Sequence, residues 1–371
     1  MKKILFIVPG SYISGTEKVM LQIMSRLKSK GYSVVCFTSG WNDGTFIEEL
    51  KKLSIPYKVA KLGFIYWRKP LWTLDTIFHY PLAVLSFLLL KAKFKPELIY
   101  HCSYRSIFIL FPFLKNVQNI LHVHDYPDTG VLNKIFFKYM QERTNKFVAV
   151  SESIKQSIIN QGVNSSRIKK IYNGVFTPLT SMRQFVPWGN KHIINLGIVG
   201  QVIPRKGHHV LVSAIALLPQ GIRERVFLNI FGNGDKRYIA ELTSLISQYK
   251  LQDQVKWMGF EKNRDIIYQQ LDIVVVPTIL KEPFGLVAVE PALYGKLAIV
   301  ADSGGLVEII EDQKTGLVFQ SNNSEDLKGK ILWAIHNPNL IPGIIKAAQE
   351  DVFDRFNEDI MIHNIISNVI E

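Results

Sequence analysis

Only two of the 371 residues are cysteines, Cys36 and Cys102. Both sit in or at the end of apolar strand-like runs, without metal-ligand or redox spacing. This excludes a disulfide scaffold and reads as two core thiols in a reducing compartment. No Asp-x-Asp occurs anywhere, so nothing marks a carboxylate pair that would hold a metal-bound phosphate, and no metal is expected. No uninterrupted apolar run reaches the roughly 18 residues of a spanning helix. The opening "MKKILFIVPG" is positive at its start, but its apolar run stops at Pro9 and Gly10, too short for a secretory signal. The expected location is cytoplasmic.

Acidic residues are scarce in one half only. Residues 1–190 hold 26 Lys+Arg against 10 Asp+Glu, a net of +16, whereas residues 191–371 hold 18 against 21, a net of −3. A basic half joined to a near-neutral one predicts that the first meets something anionic, either a phospholipid surface or nucleic acid. No nucleic-acid-binding motif accompanies the charge, and nucleic acid is not an expected partner.

The length calls for two domains. Short β-branched runs alternate with helical patterns, which predicts α/β architecture with parallel sheets. The first-half strands are expected at 4–8, 33–38, 97–101, 119–123 and 147–150, and a helix at 17–29 shows one apolar face through Val19, Met20, Ile23, Met24 and Leu27. The stretch "FTPLTSMRQFVPWGN", residues 176–190, has two prolines, a glycine and no period, and reads as a linker. Strands resume at 193–199, 227–231, 273–276, 297–300 and 317–319. The expected domains are 1–185, completed by a C-terminal helix at 355–371, and 186–354.

Residues 64–94 stand apart. Trp67, Trp72, Tyr66, Tyr80, Phe78 and Phe87 are interleaved with Arg68, Lys69, Lys91, Lys93 and Lys95. That pattern suits either an interfacial helix on an anionic membrane or a core helix with a solvated charged end.

In doubly wound sheets the loops that follow strands carry the ligands. "PGSYISGTEK", residues 9–18, places Gly15 at a helix start, where backbone amides either approach a phosphate or form a plain turn. "LHVHDYPD", residues 121–128, places His124 and Asp125 at a strand end, where a histidine can exchange a proton near neutral pH; His122 reads as a satisfied packing residue. "VGQVIPRKGHH", residues 199–209, sets Arg205 and Lys206 before a helix, which calls for a shared anion such as phosphate or else a solvated basic turn. In "KEPFGLVAVE", residues 281–290, Pro283 suits a first helical turn, with amides free from Phe284 to Leu286 and Glu290 about two turns along. The glycine turn "DSGGLVE", residues 302–308, is expected to bring further amides to the same place.

Together these segments resemble glycosyltransferase family 4, the retaining, metal-independent, nucleotide-sugar-dependent enzymes of GT-B fold. The resemblance rests on "EPFGLVAVE", which fits the family's Glu-x(7)-Glu motif, followed by "YGKLAIVADSGGLVEIIEDQKTGLVF", with "VAVSES" and "IYNGV" earlier. It implies an α/β fold of two Rossmann-like doubly wound domains facing a central cleft, the first taking the acceptor and the second the donor. It further implies that Glu282 contacts the donor sugar and Glu290 the ribose. The amides of Phe284, Gly285 and Leu286 and the Lys206 side chain would hold the diphosphate, and Gly15 would line the phosphate side. His124 would face the acceptor, and "VKWMGF", residues 255–260, would border the base. The implied catalytic set is His124, Glu282 and Lys206.

Three positions depart from the family pattern: Gln201 stands where arginine is frequent, so Arg205 would have to supply that cation; Ser14 replaces the first glycine of a pair; and Pro291 stands for an alanine inside a helix. The expected reaction is transfer of a hexosyl group from a nucleoside diphosphate sugar, without a cofactor, to a hydroxyl of a lipid-linked or membrane-presented acceptor, in polysaccharide or glycolipid assembly at the cytoplasmic membrane face. The competing readings are a nucleotide-sugar epimerase on the same fold and a non-catalytic partner subunit.

Overall fold

The computed structural model describes residues 2–10, 12–63, 70–127, 130–175, 183, 185 and 193–371, without the side chains of residues 70 and 131–133. Trp67, its neighbours Tyr66, Arg68 and Lys69, Asp128, and most of the 176–190 linker lie outside the described residues. The chain forms two compact units, residues 1–174 with 358–371, and residues 175–357. The sequence placed this crossing at 185/186 and the return at 355.

The first unit carries a seven-stranded parallel sheet. Its strands are β1 (Lys3–Val8), β2 (Ser33–Ser39), β3 (Tyr57–Ala60), β4 (Leu98–His101), β5 (Gln118–Val123), β6 (Lys146–Ala149) and β7 (Ile168–Lys170). Their order is β3-β2-β1-β4-β5-β6-β7. Ile4 through Val8 are all fully buried, as an inner parallel strand covered on both faces requires. The helix Glu358–Ile365 and the turn that continues it belong to this unit, held by Arg26 against Glu358 at 3.4 Å and Asp359 at 3.0 Å.

The second unit has β8 (Ile194–Val199), β9 (Val226–Phe231), β10 (Val255–Gly259), β11 (Ile273–Val276), β12 (Leu297–Ala301) and β13 (Leu317–Phe319). These are parallel in the order β10-β9-β8-β11-β12-β13. Leu196, Ile198, Leu228, Ile230, Val275 and Ile299 build its core against flanking helices. Each sheet reverses its winding once, between β1 and β4 and between β8 and β11.

The region after Gly63 differs from expectation in one respect. The helix Pro70–Phe94 runs unbroken through Pro81. By length and composition it is apolar enough to cross a membrane, and only 17% of its most apolar window is buried. No uninterrupted apolar run spans it, because Thr73, Asp75, Thr76, His79 and Ser86 break the sequence there.

Candidate active site

In the second unit the loops after β8 and β11 meet at the reversal of strand order. Lys206 ends the short 3-10 turn Pro204–Lys206. Gly207 follows at φ +72°, and a Cβ there would lie 1.8 Å from the Pro277 carbonyl oxygen, so only glycine lets these loops close. The Arg205 carbonyl accepts from the Ile279 amide at 3.0 Å and from Thr278 Oγ1 at 2.9 Å. This seam brings Lys206 Nζ within 2.7 Å of Glu282 Oε2. The anion that shares the Lys206 site in this structure is therefore a carboxylate of the chain itself. The Arg205 side chain is exposed, and its backbone supplies the anchoring.

Glu290 is equally engaged. Tyr268 donates its hydroxyl to Oε2 at 2.6 Å, and Arg264 Nη2 lies 2.8 Å from Oε1. Burial and the Glu290 carboxylate both push the Tyr268 hydroxyl well above its ordinary pKa, so it stays a donor. Neither Arg264 nor Tyr268 stood out in the sequence. Their one signal is i,i+4 spacing on the helix Arg264–Gln269, which sets them on one face.

Two details of the "KEPFGLVAVE" reading are corrected. The helix runs from Leu286 to Leu293, with Gly285 at its N-cap at φ +99°. Pro283 is thus outside the helix, because a left-handed residue cannot continue into a right-handed turn. Glu290 is the fifth helical residue, about one turn in rather than two. The Phe284 ring packs against Phe356 at 5.8 Å, and the residue as a whole is buried. Pro291 lies inside the helix, and its carbonyl accepts from the amides of Tyr294 and Lys296, both at 3.0 Å.

The glycine turn after β12 also plays a different part from the one expected. The Gly305 amide donates to the Glu282 carbonyl at 2.7 Å, and a Cβ on Gly305 would sit 2.6 Å from the Pro283 carbonyl oxygen. This turn braces the Glu282 loop instead of offering that amide to a ligand. Of residues 255–260, Lys256, Trp257 and Met258 are exposed on the edge strand β10 and Phe260 just after it.

The first unit holds its own cavity, of about 670 Å³, at the carboxyl ends of β1, β2, β4 and β5. His122, His124, Glu17, Trp41, Trp72 and Asp75 are among its lining residues. His124 and His122 are buried with ring centroids 4.1 Å apart, and Nε2 of each has no hydrogen-bond partner. Burial pushes the His124 pKa down to about 3, so the ring is neutral at pH 7. That corrects the expectation of proton exchange near neutrality: a neutral imidazole can donate or accept one hydrogen bond per nitrogen. His122 is also only half satisfied as a packing residue, since Nδ1 meets the Tyr100 hydroxyl at 2.9 Å while Nε2 has no partner.

Gly15 opens the helix Gly15–Ser29 behind the cap residue Ser14, whose amide donates to Glu17 Oε2 at 3.0 Å. A Cβ on Gly15 would meet nothing within 4 Å. The protein's own packing therefore does not require glycine there.

Two family models cover most of the chain: glycosyl transferases group 1 over residues 188–351 and glycosyltransferase family 4 over residues 13–177. The chain belongs to glycosyltransferase family 4. The uncharacterized glycosyltransferase MJ1178 of Methanocaldococcus jannaschii is 29% identical over 237 residues, covering 61% of this chain and 62% of that protein. Glycogen synthase of Clostridium beijerinckii is 28% identical over 229 residues, covering 60% of this chain and 44% of its own length. The chain thus spans less than two thirds of these relatives. The crystal structure of Anabaena HepE with UDP and glucose superposes with a TM-score of 0.83 at 21% identity, over 100% of both chains, and establishes the GT-B fold. These likenesses favour neither an epimerase nor a silent subunit.

Proposed function

We propose that the protein transfers a hexosyl group from a nucleoside diphosphate sugar to a hydroxyl of a lipid-linked or membrane-presented glycan at the cytoplasmic membrane face. The observation that carries this is the Lys206–Glu282 contact of 2.7 Å at the strand-order reversal, just ahead of the Leu286–Leu293 helix. A diphosphate has a cation and a helix start to bind, and a sugar has a carboxylate within reach of its hydroxyls. The solved relative with UDP and glucose supports that donor class.

On binding, the donor exchanges the ion pair for two contacts, Lys206 with phosphate oxygen and Glu282 with sugar hydroxyls. Arg205, exposed beside it, adds a second cation, and the amides of Phe284, Gly285 and Leu286 meet the remaining charge. Glu290 takes the ribose hydroxyls, fixed for that role by Arg264 and Tyr268. The acceptor oxygen bonds the anomeric carbon as the bond to the diphosphate breaks, and the hydroxyl proton leaves on the departing phosphate. Lys206 stabilises the charge that develops there. The first unit takes the acceptor in its cavity, where the neutral His124 orients a hydroxyl. No resident metal or cofactor forms part of this scheme.

Calorimetric titration with uridine, guanosine and adenosine diphosphate sugars tests the donor assignment. Binding of at least one donor is expected, weakened about tenfold or more in Glu282→Ala. Transfer activity undiminished in that variant would overturn the reading.

A further inference from the structure

The helix Pro70–Phe94 has two apolar faces, and the fold uses only one. Thr76, Ala83, Val84 and Phe87 are buried, with Phe87 edge-on to Phe37 at 5.8 Å. On the same side Tyr80 donates to the Ile109 carbonyl at 2.8 Å and Lys91 to the Phe113 carbonyl at 2.7 Å. A second series, Leu71, Leu74, Phe78, Leu82, Leu85 and Leu89, also recurs every three or four residues, and every member is at least 53% exposed. At about 100° per residue the two series lie roughly half a turn apart. The outer stripe is about 27 Å long at 1.5 Å per residue, more apolar surface than a soluble face ordinarily leaves open.

The charges say what covers it. None of the six stripe residues is charged, and the exposed Lys93 and Lys95 follow directly at its end. The helix Val131–Gln141 repeats the combination, with exposed Ile135 and Tyr139 beside exposed Lys134 and Lys138. It packs by Phe136 against Phe108 at 4.6 Å on Tyr104–Leu110, the helix whose Ile109 carbonyl takes the Tyr80 hydroxyl. A helix pairing with its own copy would carry charges along both flanks of the stripe; here the lysines gather at its end.

We propose that the outer face of Pro70–Phe94 lies in the plane of an anionic phospholipid bilayer, with its leucines and Phe78 in the acyl boundary and the lysines on headgroups. It lies on the membrane rather than across it, because Ala83, Val84 and Phe87 are already packed into the domain. Trp72 lines the cavity of the first unit and is 57% exposed at the start of the stripe. That places one wall of the cavity at headgroup depth, where an amphiphile can offer a polar head while its chain stays in lipid. The docking stands independently of the transferase reading; only this consequence for the acceptor rests on it.

Flotation of the full chain with vesicles of phosphatidylcholine containing about 30% phosphatidylglycerol tests the proposal. The parent protein should float with these vesicles. The triple variant Phe78→Glu, Leu82→Glu and Leu85→Glu should lose about tenfold or more of the bound fraction while keeping the parent melting temperature and donor binding. Should that variant fail to fold, quenching of the parent's tryptophan fluorescence by bromine-labelled lipid gives a second reading, expected to weaken in Trp72→Phe. Equal flotation of parent and folded triple variant, absence of quenching, or a parent dimer that the triple variant dissolves without any vesicle binding would each overturn it. Loss of donor binding with flotation intact would strike the transferase reading alone.

Discussion

Lys206 Nζ and Glu282 Oε2 lie 2.7 Å apart although 76 residues separate them in sequence. Each side chain keeps less than a fifth of its surface in solvent, so removing one strands a largely buried charge. Lys206→Met or Glu282→Gln is expected to cost about 3 kcal/mol of stability, the low end for a buried pair because neither group is fully enclosed. The double variant should cost less than the sum. Differential scanning calorimetry of the four proteins decides this. Additive losses would show that the two groups are coupled weakly and that the contact does not organise the site.

Tyr268 and Arg264 occupy the two oxygens of Glu290 at 2.6 and 2.8 Å. Tyr268→Phe removes one donor from a buried carboxylate and should cost about 1–3 kcal/mol. If the tyrosine positions Glu290 for a ribose, KM for the donor rises while kcat changes little, and a donor lacking ribose hydroxyls shows no such difference. A fall in kcat with constant KM would assign Tyr268 elsewhere.

The inner strands and the Glu-x(7)-Glu loop were legible because inner parallel strands must be apolar throughout and the loop carries a dense local pattern. The strands without a clear sequence signal, β3, β7 and β10, are all edge strands. In β7 only Ile168 is buried, followed by two exposed lysines, so neither alternation nor a hydrophobic run forms. The contacts that complete the site are long-range, and no local period encodes them. The Gly285 conformation was also hidden: its φ of +99° starts the helix three residues later than Pro283 suggests. The cavity walls Trp41, Trp72 and Asp75 come from segments after β2 and β3; the aromatic and lysine pattern around Trp72 points to a membrane, and nothing local marks a cavity.

Burial holds His124 at a pKa of about 3, against an ordinary value near 6.5. With the folded value depressed, the unfolded chain binds the proton more readily. The contribution to stability is therefore complete above about pH 6.5 and is lost as pH falls towards 3. His101, also pushed down to about 3 by burial, adds in the same window. Melting temperature should fall steadily from pH 7 to 4, with a shallower slope in His124→Asn. The rate of transfer should show no inflection between pH 6 and 8 that disappears in that variant; such an inflection would make His124 a proton carrier.

Gly15 provides the sharpest separation of fold from function. A Cβ at this position meets no atom within 4 Å, and alanine restricts the unfolded chain more than glycine does. Gly15→Ala should therefore stabilise the protein by about 0.4–1 kcal/mol. Gly207→Ala, by contrast, drives a Cβ to 1.8 Å from the Pro277 carbonyl oxygen and should destabilise it severely. If the open space beside Gly15 admits a ligand's phosphate, the alanine methyl fills it, and KM for the donor should rise in a protein that melts higher than the parent. An unchanged KM alongside the higher melting temperature would mean that the space beside Gly15 belongs to solvent, and the expected phosphate-side role of Gly15 would fall.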